Sequence, residues 1–289
     1  MRIAVLGSAG QLGRDLLTAL PPDTLSLTRE QIDLSRPETI APGVAAAKPD
    51  VLINCAAYNF VDKAETDEVA CFTTNVFGVR SLARACRAQG TKLVQISSDF
   101  VFGQDETRSA PWTESAPLGP VSVYGLSKAA GELATMGADP RNLVIRTCGL
   151  YGVWGSGGKG GNFVETMLKL AAAGKAIKVV NDQRCTPSFT ADVAAAIAVL
   201  IPREAFGIVN ITNAGCMTWY EFAAEIFKQA DVDADLSPIT SAEFNAPARR
   251  PAYSVLSNDR LVSLGVPRPR HWREALADYL SKRKAKSLN

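Results

Sequence analysis

The sequence contains very little histidine and only a few scattered cysteines. Its one histidine, His271, lies near the carboxyl end beside Trp272. A Ser/His/Asp triad or a histidine metal site needs more histidine than this, so the sequence offers almost no material for either. The six cysteines show no Cys-x-x-Cys spacing, and we interpret them as reduced, mostly buried thiols.

Long apolar runs and a strong net charge are also missing. No run approaches the ~18 residues of a membrane span, and no amino-terminal apolar segment with a cleavage site is present. We therefore expect a cytoplasmic protein with no membrane partner. The 31 Lys and Arg residues nearly balance the 29 Asp and Glu residues, and this net charge of +2 argues against a nucleic-acid partner.

Strand-like and helical segments alternate along the 289 residues. The predicted strands are residues 2–6, 24–28, 51–57, 92–97, 143–146, 177–180 and 208–211. The predicted helices are residues 12–20, 37–47, 67–89, 124–136, 162–173 and 190–200. This alternation predicts an α/β fold with a Rossmann-type, doubly wound parallel sheet, in which ligands bind beyond the carboxyl ends of the strands.

The composition changes after Leu150, where glycines crowd residues 152–161 and prolines interrupt the later helical patterns. We predict a dinucleotide-binding domain at residues 1–148, to which segments near 190–212 return. Residues 149–289 are predicted to form a smaller, mostly carboxyl-terminal substrate lobe that is interleaved with the first domain.

A glycine motif follows the first predicted strand, in the order Gly7-Ser-Ala-Gly10-Gln-Leu-Gly13. Gly7 can supply a tight turn, Gly10 a close approach to a pyrophosphate, and Gly13 close packing of helix on strand. The alternative is a glycine-rich turn without a ligand. The position of the motif at the start of an α/β pattern favours dinucleotide binding.

A tyrosine and a lysine four residues apart, Tyr124 and Lys128, lie on one face of a predicted helix. A nearby cation favours the phenolate, so we expect a lowered tyrosine pKa and a proton-donating site. Such spacing also arises by chance on exposed helices.

A second candidate is Ser98, at the end of the fourth predicted strand, whose hydroxyl can polarise a carbonyl. Alternatively, Ser97 and Ser98 only close the strand, while Asp99 caps the next turn.

Taken together, the motifs resemble the extended short-chain dehydrogenase/reductase superfamily and, within it, the dTDP-4-dehydrorhamnose reductase family. The resemblance covers almost the whole chain and is carried by Gly7–Gly13, Ala56-Ala-Tyr-Asn-Phe-Val-Asp-Lys-Ala-Glu65, Ser97-Ser-Asp-Phe-Val-Phe102, Tyr124-Gly-Leu-Ser-Lys128 and Ala248-Arg-Arg-Pro-Ala-Tyr-Ser254. It implies an NAD(P)H-dependent oxidoreductase that reduces the 4-keto group of a nucleotide-linked 6-deoxysugar, as in dTDP-rhamnose biosynthesis. The expected partner is a nucleotide-sugar substrate, and the expected assembly is a monomer or homodimer.

The resemblance also implies residue roles. Tyr124 protonates the carbonyl oxygen, Lys128 holds the nicotinamide ribose and lowers the tyrosine pKa, and Ser98 polarises the carbonyl where the family usually has threonine. The implied cofactor-binding residues are Gly7, Gly10, Gln11, Leu12, Gly13, Asp33, Leu34, Ala57, Tyr58, Asn59, Tyr124 and Lys128. The implied substrate-binding residues are Ser98, Asp99, Gly149, Asn162, Phe163 and Arg250.

Three of these residues could instead have a purely structural role, and one further residue, Arg29, is a candidate for cofactor binding. Asn162 and Phe163 could equally be a helix N-cap and a core side chain. Arg250 could pair with surface carboxylates instead of a diphosphate. Arg29 follows the second strand where NAD-binding proteins place an aspartate, and an arginine there accommodates the 2′-phosphate, so we expect NADPH to be preferred and NADH to be possible.

The chain departs from the family at two positions. Gly149 stands where the family has a tryptophan against the sugar, so we expect a larger pocket or one filled by another side chain such as Trp154. Ala191 stands where some members have a glutamate that helps to bind magnesium, and we therefore predict no metal.

Two other functions remain open. One is a different sugar-nucleotide enzyme of the superfamily, an epimerase or a dehydratase, although dehydratases normally have an Asp-Glu pair where this chain has Asp99-Phe100. The other is a non-catalytic regulatory subunit of the methionine adenosyltransferase type. Retention of Ser98, Tyr124 and Lys128 together favours catalysis.

Overall fold

The computed structural model describes residues 1–154 and 161–287, which form alternating strands and helices. The strands are β1 (Ile3–Leu6), β2 (Leu25–Leu27), β3 (Val51–Asn54), β4 (Lys92–Ser98), β5 (Leu143–Thr147), β6 (Ile177–Val180), β7 (Arg184–Cys185), β8 (Gly207–Asn210), β9 (Met217–Thr218) and β10 (Leu236–Ile239). The helices are α1 (Gln11–Ala19), α2 (Pro37–Ala47), α3 (Val61–Ala64), α4 (Glu68–Phe72), α5 (Val79–Ala88), α6 (Val123–Ala138), α7 (Phe163–Ala172), α8 (Thr190–Leu200), α9 (Trp219–Ala230), α10 (Ser241–Phe244), α11 (Asp259–Ser263) and α12 (Trp272–Ser287).

Among the described residues, six strands form one parallel sheet in the order β2-β1-β3-β4-β5-β8. The inner strands β1, β3 and β5 are buried on both faces, as a parallel sheet covered by helices requires. Ile3 and Val5 of β1 pack into a core with α1 and α8, whereas Ala4 and Leu6 pack into a second core with α2 and α5. The predicted Rossmann-type fold is therefore confirmed.

A third apolar core lies outside this sheet and joins α7, α8, α9 and α12 with β6. Its largest fully buried members are aromatic, namely Tyr151, Phe189, Phe222, Trp272 and Tyr279. Residues 177–180 form the predicted strand, but β6 pairs with β10 in a separate two-stranded sheet. α8 and β8 contribute to the core of the central sheet, and the domain boundary at 148/149 stays a prediction.

The single helix predicted over residues 67–89 is wrong in detail. A π-helical turn at Thr73–Gly78 separates α4 from α5. This turn carries the buried Asn75, whose Nδ2 donates to Tyr58 O at 2.9 Å and to Ser127 Oγ at 2.9 Å. π-Turns inside helices often occur at functional sites, and this one connects the loop after β3 to α6.

The glycine-rich segment is only partly described, because Gly155, Gly157, Gly158 and Gly160 lie outside the described residues. Within residues 1–154 and 161–287, no helix combines the length and the apolar character that a membrane crossing requires.

Candidate active site

The turn between β1 and α1 requires glycine at two positions. Gly7 has φ +77°, and a Cβ there would lie 2.7 Å from Ala56 N. A Cβ at Gly13 would lie 2.4 Å from Gly7 O. These approaches bring the start of α1 against the sheet edge. No side chain caps α1 at Gly10, so the first amide groups of the helix are available to an anion.

Two side chains fix the start of α6, the helix that carries Tyr124 and Lys128. Ser122 is the N-cap, and its Oγ accepts a hydrogen bond from Gly125 N at 3.1 Å. Glu65 Oε1 accepts from Val123 N at 2.9 Å, which links the loop segment after β3 to this helix. Capping at this end determines how the first turn, including Tyr124, meets the sheet edge.

A cavity of about 470 Å³ lies at the carboxyl ends of the central strands. It brings together most of the predicted site residues, although these are far apart in sequence. The predicted residues that line it are Gly7, Gly10, Gln11, Leu12, Gly13, Ala57, Asn59, Ser98, Asp99, Tyr124, Lys128, Gly149, Asn162 and Phe163. The location agrees with the rule that ligands bind beyond the carboxyl ends of parallel strands.

Four predicted cofactor residues do not line this cavity. Arg29 is exposed just after β2, and Asp33 accepts hydrogen bonds from Ser35 N and Oγ at 2.9 and 2.7 Å. Leu34 is buried in the core beside α2. The Tyr58 hydroxyl donates to Asp67 Oδ2 at 3.1 Å.

The Tyr124 phenol is buried, with 9% of the residue exposed. Burial raises its pKa above the ordinary value, while a hydrogen bond with Ser98 has the opposite, smaller effect. Lys128 Nζ donates to Ile96 O at 2.7 Å, and burial lowers the pKa of Lys128 to about 8. The expectation that Lys128 lowers the tyrosine pKa is therefore wrong for this structure, because desolvation dominates and the ammonium is held by a backbone carbonyl.

Ser98 has a structural and a candidate chemical role at once. Its Oγ donates to Asp99 Oδ1 at 3.0 Å and accepts from Phe100 N at 3.3 Å, so Ser98, not Asp99, caps the short turn that follows β4. Burial raises the pKa of Asp99, and hydrogen bonds with Ser254, Cys148 and Ser98 partly oppose this shift. A carboxyl group buried in this way favours its neutral form.

Three buried polar atoms around the cavity have no hydrogen-bond partner among the described residues. They are Gln11 Oε1, Ser97 Oγ and Thr147 Oγ1, and each belongs to a residue that lines the cavity. Leaving such an atom unpaired costs about 1–3 kcal/mol, so the arrangement favours a ligand that supplies polar partners. The glycine turn and these atoms together fit a dinucleotide cofactor.

A second cavity of about 460 Å³ adjoins the first, because Asp99, Phe100 and Phe163 line both. Its wall is mostly apolar and includes the cations Lys178 and Arg250. The Arg250 guanidinium forms a two-point pair with the Asp62 carboxylate at 2.9 Å, so the alternative of carboxylate pairing is present in the structure.

Asn162 and Phe163 also match both of their predicted interpretations. Asn162 is the N-cap of α7, and its Oδ1 accepts from Glu165 N at 3.1 Å. Phe163 lines both cavities while its ring packs against Trp219 and Phe222. A structural role and a ligand contact are therefore compatible at these positions.

The space beside Gly149 is occupied by a residue that sequence reasoning missed. A Cβ at Gly149 would lie 3.0 Å from Trp219 Cη2. Trp154, the example that we gave of a side chain that could fill this space, instead donates from Nε1 to Asp15 Oδ1 at 2.9 Å. No motif points to Trp219, whereas Ser254, another wall residue, lies inside the segment 248–254 that carried the family resemblance.

The family model described as the RmlD substrate binding domain matches residues 1–285. A probable dTDP-4,6-dihydroxy-2-methyloxan-3-one 4-ketoreductase of Streptomyces antibioticus is 41% identical over 284 residues, covering 96% of this chain and 94% of that relative. A dTDP-4-dehydrorhamnose reductase of Streptomyces griseus is 38% identical and covers 96% of this chain and 92% of its own length.

Among solved structures, the dTDP-4-dehydrorhamnose reductase of Bacillus anthracis in complex with NADP superposes with a TM-score of 0.91. It is 33% identical in sequence, and the match covers 97% of this chain and 99% of that one.

Proposed function

Because the chain belongs to the RmlD substrate binding domain family, we propose that it is an NADPH-dependent reductase of the 4-keto group of a dTDP-linked 6-deoxysugar. The observation that carries this proposal is one cavity that contains the glycine turn together with Ser98, Tyr124 and Lys128. A cofactor site and a proton donor therefore share one space.

The cofactor fits the glycine turn and the start of α1. The pyrophosphate would accept hydrogen bonds from the free amide groups at that helix end, and Gln11, Ser97 and Thr147 offer unpaired polar atoms along the wall. The Lys128 ammonium would hold the nicotinamide ribose. When bound, NADPH supplies the hydride that reduces the carbonyl carbon.

Tyr124 and Ser98 act on the carbonyl oxygen. The raised pKa of Tyr124 keeps the phenol protonated at neutral pH, so its proton is available as charge develops on the oxygen. Ser98 Oγ donates to Asp99 Oδ1 in this structure, and it would stabilise the same oxygen by turning its one hydroxyl proton toward the carbonyl. Both side chains line the same cavity, so they can act on one oxygen.

The second cavity suits the nucleotide part of the substrate. Its apolar wall would pack against a base, while Lys178 and Arg250 supply positive charge for the diphosphate. Arg250 is already held by Asp62, which fixes the direction of its guanidinium.

The dehydratase alternative is disfavoured by Phe100. Its ring meets the Tyr124 ring edge-on at 5.5 Å, so an aromatic side chain occupies the position that follows Asp99. A purely regulatory role gives no reason for Ser98, Tyr124 and Lys128 to share one cavity.

The direct test is NADPH oxidation by the purified protein with a panel of sugar nucleotides. We expect turnover with dTDP-4-keto-6-deoxysugars and none with dTDP-glucose or UDP-glucose. The Tyr220→Phe variant changes a tyrosine outside both cavities and serves as the matched control. Conversion of dTDP-glucose to its 4-keto-6-deoxy product, without net NADPH consumption, would identify a dehydratase instead.

A further inference from the structure

Trp219 lies where the two cavities meet. It lines the apolar cavity, and its Cη2 lies 3.0 Å from the Cβ position of Gly149, a residue that lines the other cavity with Ser98 and Tyr124. Its ring therefore reaches from the nucleotide side toward the reacting groups.

The start of α9 holds Trp219 in place. Thr218 caps the helix and forms a reciprocal pair of hydrogen bonds with Glu221, and Thr218 Oγ1 also donates to Asn181 Oδ1 at 2.7 Å. Phe163 packs on one side of the indole with ring centroids 4.7 Å apart. Trp219 itself is half-buried, so part of its surface stays open to the cavity.

From this placement we propose that Trp219 is a specificity-determining residue whose indole packs against the deoxysugar of the substrate. This inference rests on the proposed function. A 6-deoxysugar presents a methyl group and an apolar ring face, and an aromatic surface binds such groups through buried area and CH–π contact. Glycine at position 149 leaves room for the indole. A Cβ there would lie 3.0 Å from Trp219 Cη2 and 3.1 Å from Pro187 Cα.

The test compares binding of dTDP-rhamnose with binding of dTDP alone by calorimetry, which does not depend on turnover. Trp219→Ala should weaken dTDP-rhamnose by about fivefold or more and leave dTDP nearly unchanged. Trp219→Phe should retain most of the dTDP-rhamnose affinity. Tyr220→Ala, which changes the next aromatic residue of α9, should leave the affinity for both ligands unchanged. NADPH affinity should be the same in all four proteins.

Two results would overturn the inference. If Trp219→Ala weakens the binding of dTDP and of dTDP-rhamnose equally, the indole contacts the nucleotide and not the sugar. If dTDP-rhamnose binding is unchanged, the indole does not contact the substrate. Failure of the wild type to reduce any 4-keto sugar would instead contradict the proposed function, while the binding comparison would still test Trp219.

A second arm tests the contact between positions 149 and 219. Gly149→Trp should weaken dTDP-rhamnose binding in the wild type because it displaces the indole. The same substitution should weaken binding less in the Trp219→Ala background, where that space is open. The strain of a tryptophan at φ +50° is present in both backgrounds and cancels. An equal loss in both backgrounds would contradict the proposed packing.

Discussion

At the residue scale, burial shifts the pKa values of three site residues in the direction that favours their neutral forms. The phenol of Tyr124 and the carboxyl of Asp99 both have raised pKa values, and Lys128 has a lowered one, because each lies away from water. A neutral phenol in the same cavity as Ser98 can release its proton when an oxyanion forms beside it.

Replacing Tyr124 by phenylalanine removes one hydroxyl and keeps the ring. We expect kcat to fall by about 10²–10⁴-fold, because the proton donor is lost, while NADPH affinity stays nearly unchanged. Steady-state kinetics and NADPH fluorescence titration measure the two quantities. Turnover close to that of the wild type would show that another group protonates the product.

Lys128 makes stability depend on pH in a defined direction. Its pKa is about 8 in the folded protein and 10.5 when unperturbed, so below pH 8 the folded protein bears the full cost of the buried charge. Between pH 8 and 10.5 the folded state releases the proton first, which favours folding increasingly as the pH rises. Relative to Lys128→Met, the wild-type free energy of unfolding should therefore rise across this range. Urea denaturation at several pH values measures the difference in free energy of unfolding between the two proteins. A difference that stays constant or falls between pH 8 and 10.5 would contradict a lowered pKa for Lys128.

Much of the site could be predicted at this scale, because its motifs are local. The glycine turn, Ser98 and the Tyr124/Lys128 pair each depend on neighbouring residues in one turn or helix, and the structure brings them to one cavity. Trp219 could not be predicted, because its position depends on how α9 packs against the segment after β5. The direction of the tyrosine pKa shift was also missed, since spacing gives no measure of burial.

At the element scale, α6 is tied to β5 by a buried ion pair. Arg146 Nη2 lies 2.7 Å from Glu132 Oε2, and the two side chains are 1% and 2% exposed. Glu132 lies one turn after Lys128 and raises its pKa, in opposition to desolvation. The pair therefore holds α6 against β5, and its Glu132 carboxylate also favours the charged form of Lys128.

Arg146→Met should destabilise the protein by about 3–5 kcal/mol, because it leaves the Glu132 carboxylate buried without a partner. The double variant Arg146→Met/Glu132→Leu should recover much of this loss. Arg36→Met is the control, since Arg36 and Glu38 form an exposed pair worth at most about 1 kcal/mol. Urea denaturation measures all three variants, and equal losses for Arg146→Met and Arg36→Met would contradict the buried role.

Element bounds follow from local patterns, whereas strand partners do not. The predicted helix at 37–47 and the strand at 177–180 have the same bounds in the structure as in the sequence analysis. The pairing of β6 with β10 depends on chain that is about 60 residues away, and no local periodicity reveals it. The π-turn at Thr73–Gly78 likewise depends on contacts of Asn75 with distant segments.

At the scale of the whole molecule, two adjoining cavities divide the expected ligands. The glycine-lined cavity suits the cofactor, and the apolar cavity suits the substrate nucleotide. Asp99, Phe100 and Phe163 line both, so the reacting ends of the two ligands would meet there.

We propose that cofactor preference depends on Arg29, which follows β2 at the edge of the central sheet. Arg29 is exposed, and its guanidinium would pair with a 2′-phosphate there. Arg29→Ala should weaken NADPH binding by roughly tenfold, as expected for the loss of a charged hydrogen bond, and leave NADH binding nearly unchanged. Arg36→Ala, which changes another exposed arginine, is the control. Equal losses for NADPH and NADH would show that Arg29 does not contact the phosphate.

The central claim is reduction of a sugar carbonyl carbon, and isotope transfer tests it most directly. The wild type would be incubated with NADPH deuterated at the transferring position and a dTDP-4-keto-6-deoxysugar, and the product examined by mass spectrometry and NMR. We predict one deuterium at C4 of the sugar, and about 10²–10⁴-fold less of this labelled product when Tyr124→Phe is used for the same time. A product without deuterium at C4, or no product from the wild type, would contradict the account.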